Sequence, residues 1–308
     1  MSLCSDRGDV SRRWIRWKRL SAITIALCLV GSVFRLQAAE PVRTAGPLPN
    51  VVLLIGDDQG WADYGFMGHP EVRTPSLDAL ARRSAVFRRG YVPTALCRPS
   101  LMTMITGRYP HRHGVTGNDP WRSSECTEEN FADLRSQLIA HASESRMLPE
   151  FLQEKGYRSF QSGKWWEGNF RLGGFTGGMT RGFPQPGGRH GDDGLRIGRE
   201  GVRPVLDFID ASAEAKKPFF VWYAPMLPHT PHNPPDRILK HYQDRGCTAA
   251  SARYYAMCEW YDETCGQILQ HLDQHGLTDD TIVISVCDNG WIQPDPEKAP
   301  LPDGWKQP

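Results

Sequence analysis

The stretch Asn50-Val51-Val52-Leu53-Leu54-Ile55-Gly56-Asp57-Asp58-Gln59-Gly60 decides the fold. Residues 51–55 are apolar without interruption and end at a glycine. That pattern fits a strand buried on both faces, as in a parallel sheet, rather than a half-exposed alternating strand. Open parallel sheets bind ligands beyond the carboxyl ends of their strands, and this run places two adjacent carboxylates there. Residues 218–224 (Pro-Phe-Phe-Val-Trp-Tyr-Ala) form a second run, closed by Pro225. Residues 281–286 (Thr-Ile-Val-Ile-Ser-Val) form a third, followed by Cys287-Asp288-Asn289-Gly290. Helical patterns lie between them: 76–87 entered through Thr74-Pro75, 147–155 stopped by Gly156, 202–213, and 252–274 stopped by Gly276. Strands alternating with helices predict an α/β fold, with a mostly parallel central sheet flanked by helices.

The remainder of the 308 residues narrows the class. Lys and Arg total 36 against 35 Asp and Glu, so no polybasic surface or acidic tail is available, and a nucleic-acid partner is not expected. Ten Trp and 40% apolar residues describe a chain able to bury a core. Residues 170–201 are rich in Gly and carry Arg189-His190-Gly191-Asp192-Asp193, which reads as a substrate-facing loop more than a linker. Residues 292–308, with Pro at 294, 296, 300, 302 and 308, read as an irregular tail.

The first 39 residues have the zones of a signal peptide. Arg12, Arg13, Arg16, Lys18 and Arg19 are basic, residues 20–34 are apolar, and Gln37-Ala38-Ala39 offers a cleavage site. The alternative is an uncleaved anchor, the single route to a membrane in this reading. Export to the periplasm or beyond is expected, with 40–49 as linker and 50–291 as the catalytic domain. Cleavage would remove Cys4 and Cys28 and leave six cysteines without a CxxC pair, so a zinc ribbon is not expected.

Asp57 and Asp58 at one strand end, with Asp288 and Asn289 at another, make a hard oxygen set that suits Ca²⁺, or secondarily Mg²⁺. Asp-Asn-Gly is also a common turn sequence. Cys97-Arg98-Pro99-Ser100 opens into an apolar helical segment, so Cys97 falls near a helix N-terminus, where a thiolate or bound anion is favoured. The plainer alternative is a buried cysteine before a core helix. Lys164 beside Trp165 and Trp166 fits either an anion contact or simple stacking. His232 fits either a loop residue or a substrate contact.

Taken in order, these parts resemble the sulfatase family of the alkaline-phosphatase superfamily. The resemblance rests on strand-Asp57-Asp58-Gln59-Gly60, Cys97-x-Pro-Ser with Thr106-Gly107-Arg108, Gly163-Lys164-Trp165, His229-Thr230-Pro231-His232 and strand-Asp288-Asn289-Gly290. It implies hydrolysis of a sulfuric ester of a carbohydrate or an aryl alcohol, with a sulfated small molecule or glycan as partner. It also implies conversion of Cys97 to formylglycine by a sulfatase-maturing enzyme. Asp57, Asp58, Asp288, Asn289 and the modified Cys97 would bind Ca²⁺; Lys164 would neutralise a sulfate oxygen and His229 would serve the leaving oxygen. His232, His190 and Arg189 would contact substrate.

The sequence also departs from the family pattern. The family usually has Arg where Leu101 stands and His where Trp166 stands. It also supplies a second sulfate-binding Lys downstream, whereas Lys298 and Lys306 lack the expected setting. The resemblance therefore implies a C-terminally truncated chain without the family's small subdomain, with an exposed sheet edge and weak or no turnover. Arg189, His190 or Arg196 could substitute for the missing cations. Two other readings stay open: a pseudo-sulfatase that binds sulfated glycan without turnover, and a phosphoester or phosphonate hydrolase with Cys97 unmodified.

Overall fold

A computed structural model describes residues 48–120 and 125–290. The predicted leader, most of the linker, Lys298, Lys306 and the Pro-rich tail lie outside the described residues. Five strands form one sheet in the order β3-β2-β4-β1-β5, with every pair parallel. They are β1 (Asn50–Gly56), β2 (Arg158–Gly163), β3 (Gly177–Gly178), β4 (Phe219–Ala224) and β5 (Thr281–Cys287). The three apolar runs are thus β1, β4 and β5, and they lie side by side: Leu53 is in register with Trp222 on one side and with Ile284 on the other.

The double-sided burial has a direct structural cause. Val52 and Leu54 of β1 and Phe219, Val221 and Tyr223 of β4 enter one core, while Leu53, Ile55, Phe220, Trp222 and Ala224 enter another on the opposite face. Alternate residues of a strand point to opposite faces, so a strand covered on both sides must be apolar throughout. On the first face lie α1 (Pro75–Arg82), α6 (Arg203–Glu214) and the long α8 (Ala249–Gln274). α8 presents Met257, Tyr261, Cys265, Ile268 and Leu272 as one stripe at helical spacing. The second face is covered by α2 (Cys97–Thr106) through Leu101, Met102 and Ile105, with Ala142 of α4 (Phe131–Ser143). Between and beyond these lie the short α3 (Pro110–His113), α5 (Leu148–Gln153) and α7 (Asp236–Gln243).

Some boundaries differ from expectation. The helix predicted over 76–87 stops at Arg82. Its start is held by Asp262 of α8, whose carboxylate accepts hydrogen bonds from Ser76 N (3.0 Å) and Leu77 N (2.7 Å). Its predicted last turn has no surface to pack on, since Val86 and Phe87 are exposed. β2 has no apolar run; its buried Ser162 donates to Trp222 O at 3.0 Å, and Gln161 donates to Gly163 O at 3.0 Å and accepts from Thr180 N at 3.1 Å. The six described cysteines form no disulfide. None of the described helices is long and apolar enough to cross a membrane.

Among the described residues β5 pairs only with β1, and Ile282 and Ile284 are about half exposed, at 49% and 47%. A lysine on such an edge discourages pairing between molecules. Ile284→Lys is expected to change unfolding free energy by no more than about 0.5 kcal/mol while reducing aggregation. Leu54→Ala, at a fully buried position, should cost about 2–5 kcal/mol. Urea unfolding and light scattering check both.

Candidate active site

The carboxyl ends of β1 and β5 bring four side chains together. Asp57 and Asp58 follow β1, Asp288 and Asn289 follow β5, and all four are buried. Asp288 N donates to Gly56 O at 2.9 Å, which closes the gap between the two strand ends. Asp58 takes a left-handed backbone conformation (φ 60°), uncommon for a residue with a Cβ. This turn lets Asp58 N donate to Asp288 Oδ1 at 3.3 Å, while Asn289 Nδ2 donates to Asp58 Oδ1 at 2.7 Å.

Cys97 is the first residue of α2, as the sequence predicts. Its thiol is 3.8 Å from Asp57 Oδ1. Lys164, just past the end of β2, donates to Asp57 Oδ1 at 2.6 Å and to Cys97 Sγ at 3.3 Å. Gly163 makes that approach feasible: at φ +83° a Cβ there would lie 1.8 Å from Ala224 O, so only glycine fits. Lys164 Nζ also sits 5.2 Å from the centroid of the Trp166 ring.

Two further groups hold α2, which starts at Cys97. Ser100 Oγ donates to Asp288 O. Arg98 and Glu167 form a buried two-pronged pair at 2.7 and 2.6 Å, tying the residue after Cys97 to the segment that carries Lys164. The serine belongs to the Cys-x-Pro-Ser motif and was visible there; nothing in the sequence links Arg98 to Glu167. Arg199 was also missed. It donates to the carbonyls of Met226, His229 and Pro231 at 2.9, 3.0 and 3.3 Å and so shapes the His229 loop.

His229 Nε2 lies 3.3 Å from Asp58 Oδ2. Its Nδ1 lies 2.6 Å from Thr230 O. A carbonyl only accepts, so Nδ1 carries a hydrogen and Nε2 faces the acids. His229 and Asp58 line an open cleft of about 2300 Å³ together with Trp61, His232 and Tyr254. Cys97 and Lys164 do not line it and are buried, at 6% and 2% exposure.

The other expected contacts divide. His190 is buried and tilts against the Trp166 ring at 5.4 Å between centroids. The loop over 170–201 folds back on the end of β2, where Trp165 N donates to His190 O at 3.0 Å. Arg189 instead pairs with Asp119, which also holds Arg135 at 2.5 Å. Arg196 is paired with Glu200 at 2.7 Å and exposed. His232 packs beside Tyr254 at 5.6 Å between ring centroids. Leu101 is buried in the core beneath the sheet, where its apolar side chain meets Trp and Met neighbours.

Burial raises the Asp57 pKa, but Lys164 and His229 outweigh it and hold this carboxyl below its usual range. Burial and then Asp57 push Asp58 up; the same two causes push Asp288 up well beyond it. Burial alone would lower Lys164, yet Asp57 and its neighbours raise it, so the ammonium stays charged. Burial pushes the Cys97 thiol up, and Asp57, Asp288 and Asp58 add to this against the pull of Lys164. The thiolate expected at a helix N-terminus is therefore not favoured here, because desolvation and three acids exceed one ammonium. Burial lowers His190 to about 3 and His232 to about 4, so both are neutral donors or acceptors near neutral pH.

The donor set fits a divalent cation. Asp57 Oδ2, Asp288 Oδ2 and Asn289 Oδ1 are buried without a hydrogen-bond partner. Ligand atoms of Asp57, Asp58 and Cys97 lie within 4.8 Å of one another. Unpaired buried oxygens are costly, and a cation between them would satisfy all three.

A profile of the Sulfatase family matches residues 49–301. The N-acetylgalactosamine-6-sulfatase of Canis lupus familiaris is 29% identical over 275 residues, covering 79% of this chain and 50% of that protein. The ulvan-active sulfatase of Formosa agariphila is 26% identical over 290 residues, covering 82% and 52%. The crystal structure of Ps i-CgsB superposes with a TM-score of 0.64 at 25% identity, covering 79% of this chain and 59% of that one. The chain spans about half the length of the curated relatives it matches.

Two outcomes are expected from this geometry. Ca²⁺ at about 100 times its dissociation constant should raise unfolding free energy by about 2.7 kcal/mol, and Asp288→Ala should abolish most of that increment in thermal melts. Glu167→Ala strands the buried Arg98 guanidinium and should cost about 3–5 kcal/mol, read by urea unfolding.

Proposed function

The chain belongs to the sulfatase family, and on that premise we propose that it hydrolyses a sulfuric ester carried by a carbohydrate, with its chemistry centred on Cys97. The observation that carries this reading is the meeting of Cys97 Sγ, Lys164 Nζ and Asp57 Oδ1 at 2.6–3.8 Å beside unpaired carboxylate oxygens. A sulfate ester is a compact anion, and a buried ammonium beside the reacting atom is the donor it needs. Relatives named N-acetylgalactosamine-6-sulfatase and ulvan-active sulfatase support a sugar sulfate, while relatives named arylsulfatase A and arylsulfatase J keep an aryl ester as the alternative.

When in place, Ca²⁺ on Asp57, Asp58, Asp288 and Asn289 and a formylglycine made from Cys97 supply Lewis-acid polarisation and the attacking oxygen. Ca²⁺ is preferred to Mg²⁺ because the donors are carboxylate and amide oxygens from four side chains, whereas Mg²⁺ tends to keep several waters. The raised thiol pKa of Cys97 supports the need for modification, since an uncharged thiol is a poor nucleophile.

The chain's own groups divide the remaining work. Lys164 holds positive charge at the sulfate oxygens in a site that excludes water, where one such donor is worth about 10²–10³ in rate. His229 presents Nε2 toward the leaving oxygen and holds a proton between that atom and Asp58 Oδ2. Its orientation is set by Thr230 O and by the Arg199 clamp on the loop carbonyls. His190, with Nδ1 buried and unpaired, takes the place beside Trp166 where the family usually has a histidine two residues after the lysine. His232 sits at the cleft wall as a substrate contact. Arg189, paired with Asp119, braces the loop in place of contacting sulfate.

Leu101 and Trp166 provide no cation, so turnover by this chain is low. The same reading holds that residues 1–39 direct export, that 50–291 form the catalytic domain, and that a sulfatase-maturing enzyme acts on Cys97. The test is intact-mass analysis of the peptide carrying Cys97, beside turnover of a sulfated monosaccharide with Ca²⁺. Formylglycine is expected, with slow hydrolysis that Cys97→Ala abolishes and that Lys164→Ala lowers by about 10²–10³. An unmodified thiol with phosphoester or phosphonate turnover would point to the sister chemistry on this scaffold. An unmodified thiol with glycan binding alone would make the chain a non-catalytic binder.

A further inference from the structure

A second group of metal-ligand side chains stands apart from the strand-end cluster. His271 lies in the last turn of α8 and His275 caps that helix, so the two imidazoles share one helical face at i and i+4. Their rings are 4.1 Å apart between centroids. Asp210 of α6 reaches both: its Oδ1 is 2.6 Å from His271 Nε2 and 3.7 Å from His275 Nε2. One ligand atom from each of the three residues lies within 4.8 Å of the others.

The backbone sets the proton position of His275 as in a metal ligand. His275 Nδ1 is 2.8 Å from His271 O. A carbonyl accepts only, so His275 Nδ1 carries hydrogen and, in the neutral ring, Nε2 offers its lone pair toward Asp210. A ring nitrogen held by a backbone carbonyl, with the other free to ligate, is the usual arrangement of a metal-binding histidine. His271 Nε2 donates its hydrogen to Asp210 in the metal-free state. For a cation to be held there, His271 Nε2 loses that proton to solvent and the lone pair left by the broken N–H bond becomes the ligand.

The underlying helices hold these ligands in place. Val205 and Ile209 of α6 and Ile268 and Leu272 of α8 share one core, so the two helices are packed directly below the cluster. Asp210 and His271 are partly buried, and His275 is about half exposed, which leaves an entry path. Two imidazole nitrogens and one carboxylate oxygen suit a borderline ion such as Zn²⁺, with water in the fourth position, and do not suit Ca²⁺. α8 ends where the chain turns into the start of β5, at the amino edge of the sheet. The catalytic cluster is at the carboxyl edge, so this ion would be structural.

We infer that Asp210, His271 and His275 form a zinc-class site that clamps α6 to α8, the helices that lead into β4 and β5. The test uses the untagged full chain, titrated with ZnCl₂ by calorimetry and followed by thermal melts. His275→Ala and Asp210→Asn are compared with Asp57→Asn as a control at the other cluster. His275 is exposed enough that its alanine variant should fold, and circular dichroism without metal checks this. Expected is a zinc-dependent rise in melting midpoint for the parent and Asp57→Asn. In His275→Ala and Asp210→Asn zinc affinity should fall by more than the about 10–100-fold that loss of an outer partner costs. Ca²⁺ should not distinguish parent from His275→Ala. If parent and His275→Ala take up zinc with the same stoichiometry and the same midpoint shift, or the parent takes up none, the three residues are a metal-free His–Asp contact at a helix end and the inference is overturned.

Discussion

A lysine ammonium and an aspartate carboxylate, each about 2% exposed, meet at 2.6 Å where β1 and β2 end. The rest of the candidate site depends on that contact. Either charge alone would be expensive at such depth; paired, they remain ionised in a place that water does not reach. The pair also fixes an asymmetry among the three clustered acids. Asp57 keeps its charge because Lys164 faces it, while Asp58 and Asp288, also buried and each beside the charged Asp57, are pushed up toward the neutral form. Such a cluster is poised to take up positive charge, and its unpaired oxygens show where.

The scaffold transmits this constraint outward through polar braces. The Arg98–Glu167 pair links the helix bearing Cys97 to the segment bearing Lys164, and Asp119 gathers Arg135 and Arg189 at the base of the long loop. The first pair is buried and two-pronged, so replacing either partner by an apolar residue would leave the other charged and unmatched. The second is shared: Arg135 is buried while Arg189 is about half exposed, and Asp119 keeps one partner if the other is lost.

Legibility in the sequence followed the physics of each element. The strands β1 and β4 were plain because burial on two faces forces unbroken apolar runs, and β5 carries the same kind of run although its Ile282 and Ile284 are about half exposed. β2 was hidden because its buried residues are Ser and Gln, satisfied by backbone atoms of neighbouring chain, and such partners leave no periodic trace. α4 and α7 were likewise passed over, each with buried residues at few positions. The clustering of Asp57, Asp58, Asp288 and Asn289 was readable from strand ends alone, and Cys97 from its motif. Depth was not readable. A short polar motif specifies which groups meet, whereas burial of Cys97 and Lys164 is a property of the packed chain around them. The fate of Arg189 was equally hidden, since its partner Asp119 is 70 positions away.

The order of strands has a consequence in time. β1 pairs with β4 and β5, and the link from Asp58 to Asp288 joins residues 230 positions apart. Contacts so distant along the chain form late. The turn that sets Asp58 against Asp288 is therefore complete only once β5 has paired with β1. Cys97, 6% exposed in the closed fold, is joined to this late contact through Ser100, whose hydroxyl donates to Asp288 O. Topology thus acts as a clock: the oxygen cluster at the strand ends is assembled after the helix that carries Cys97 can form from local contacts.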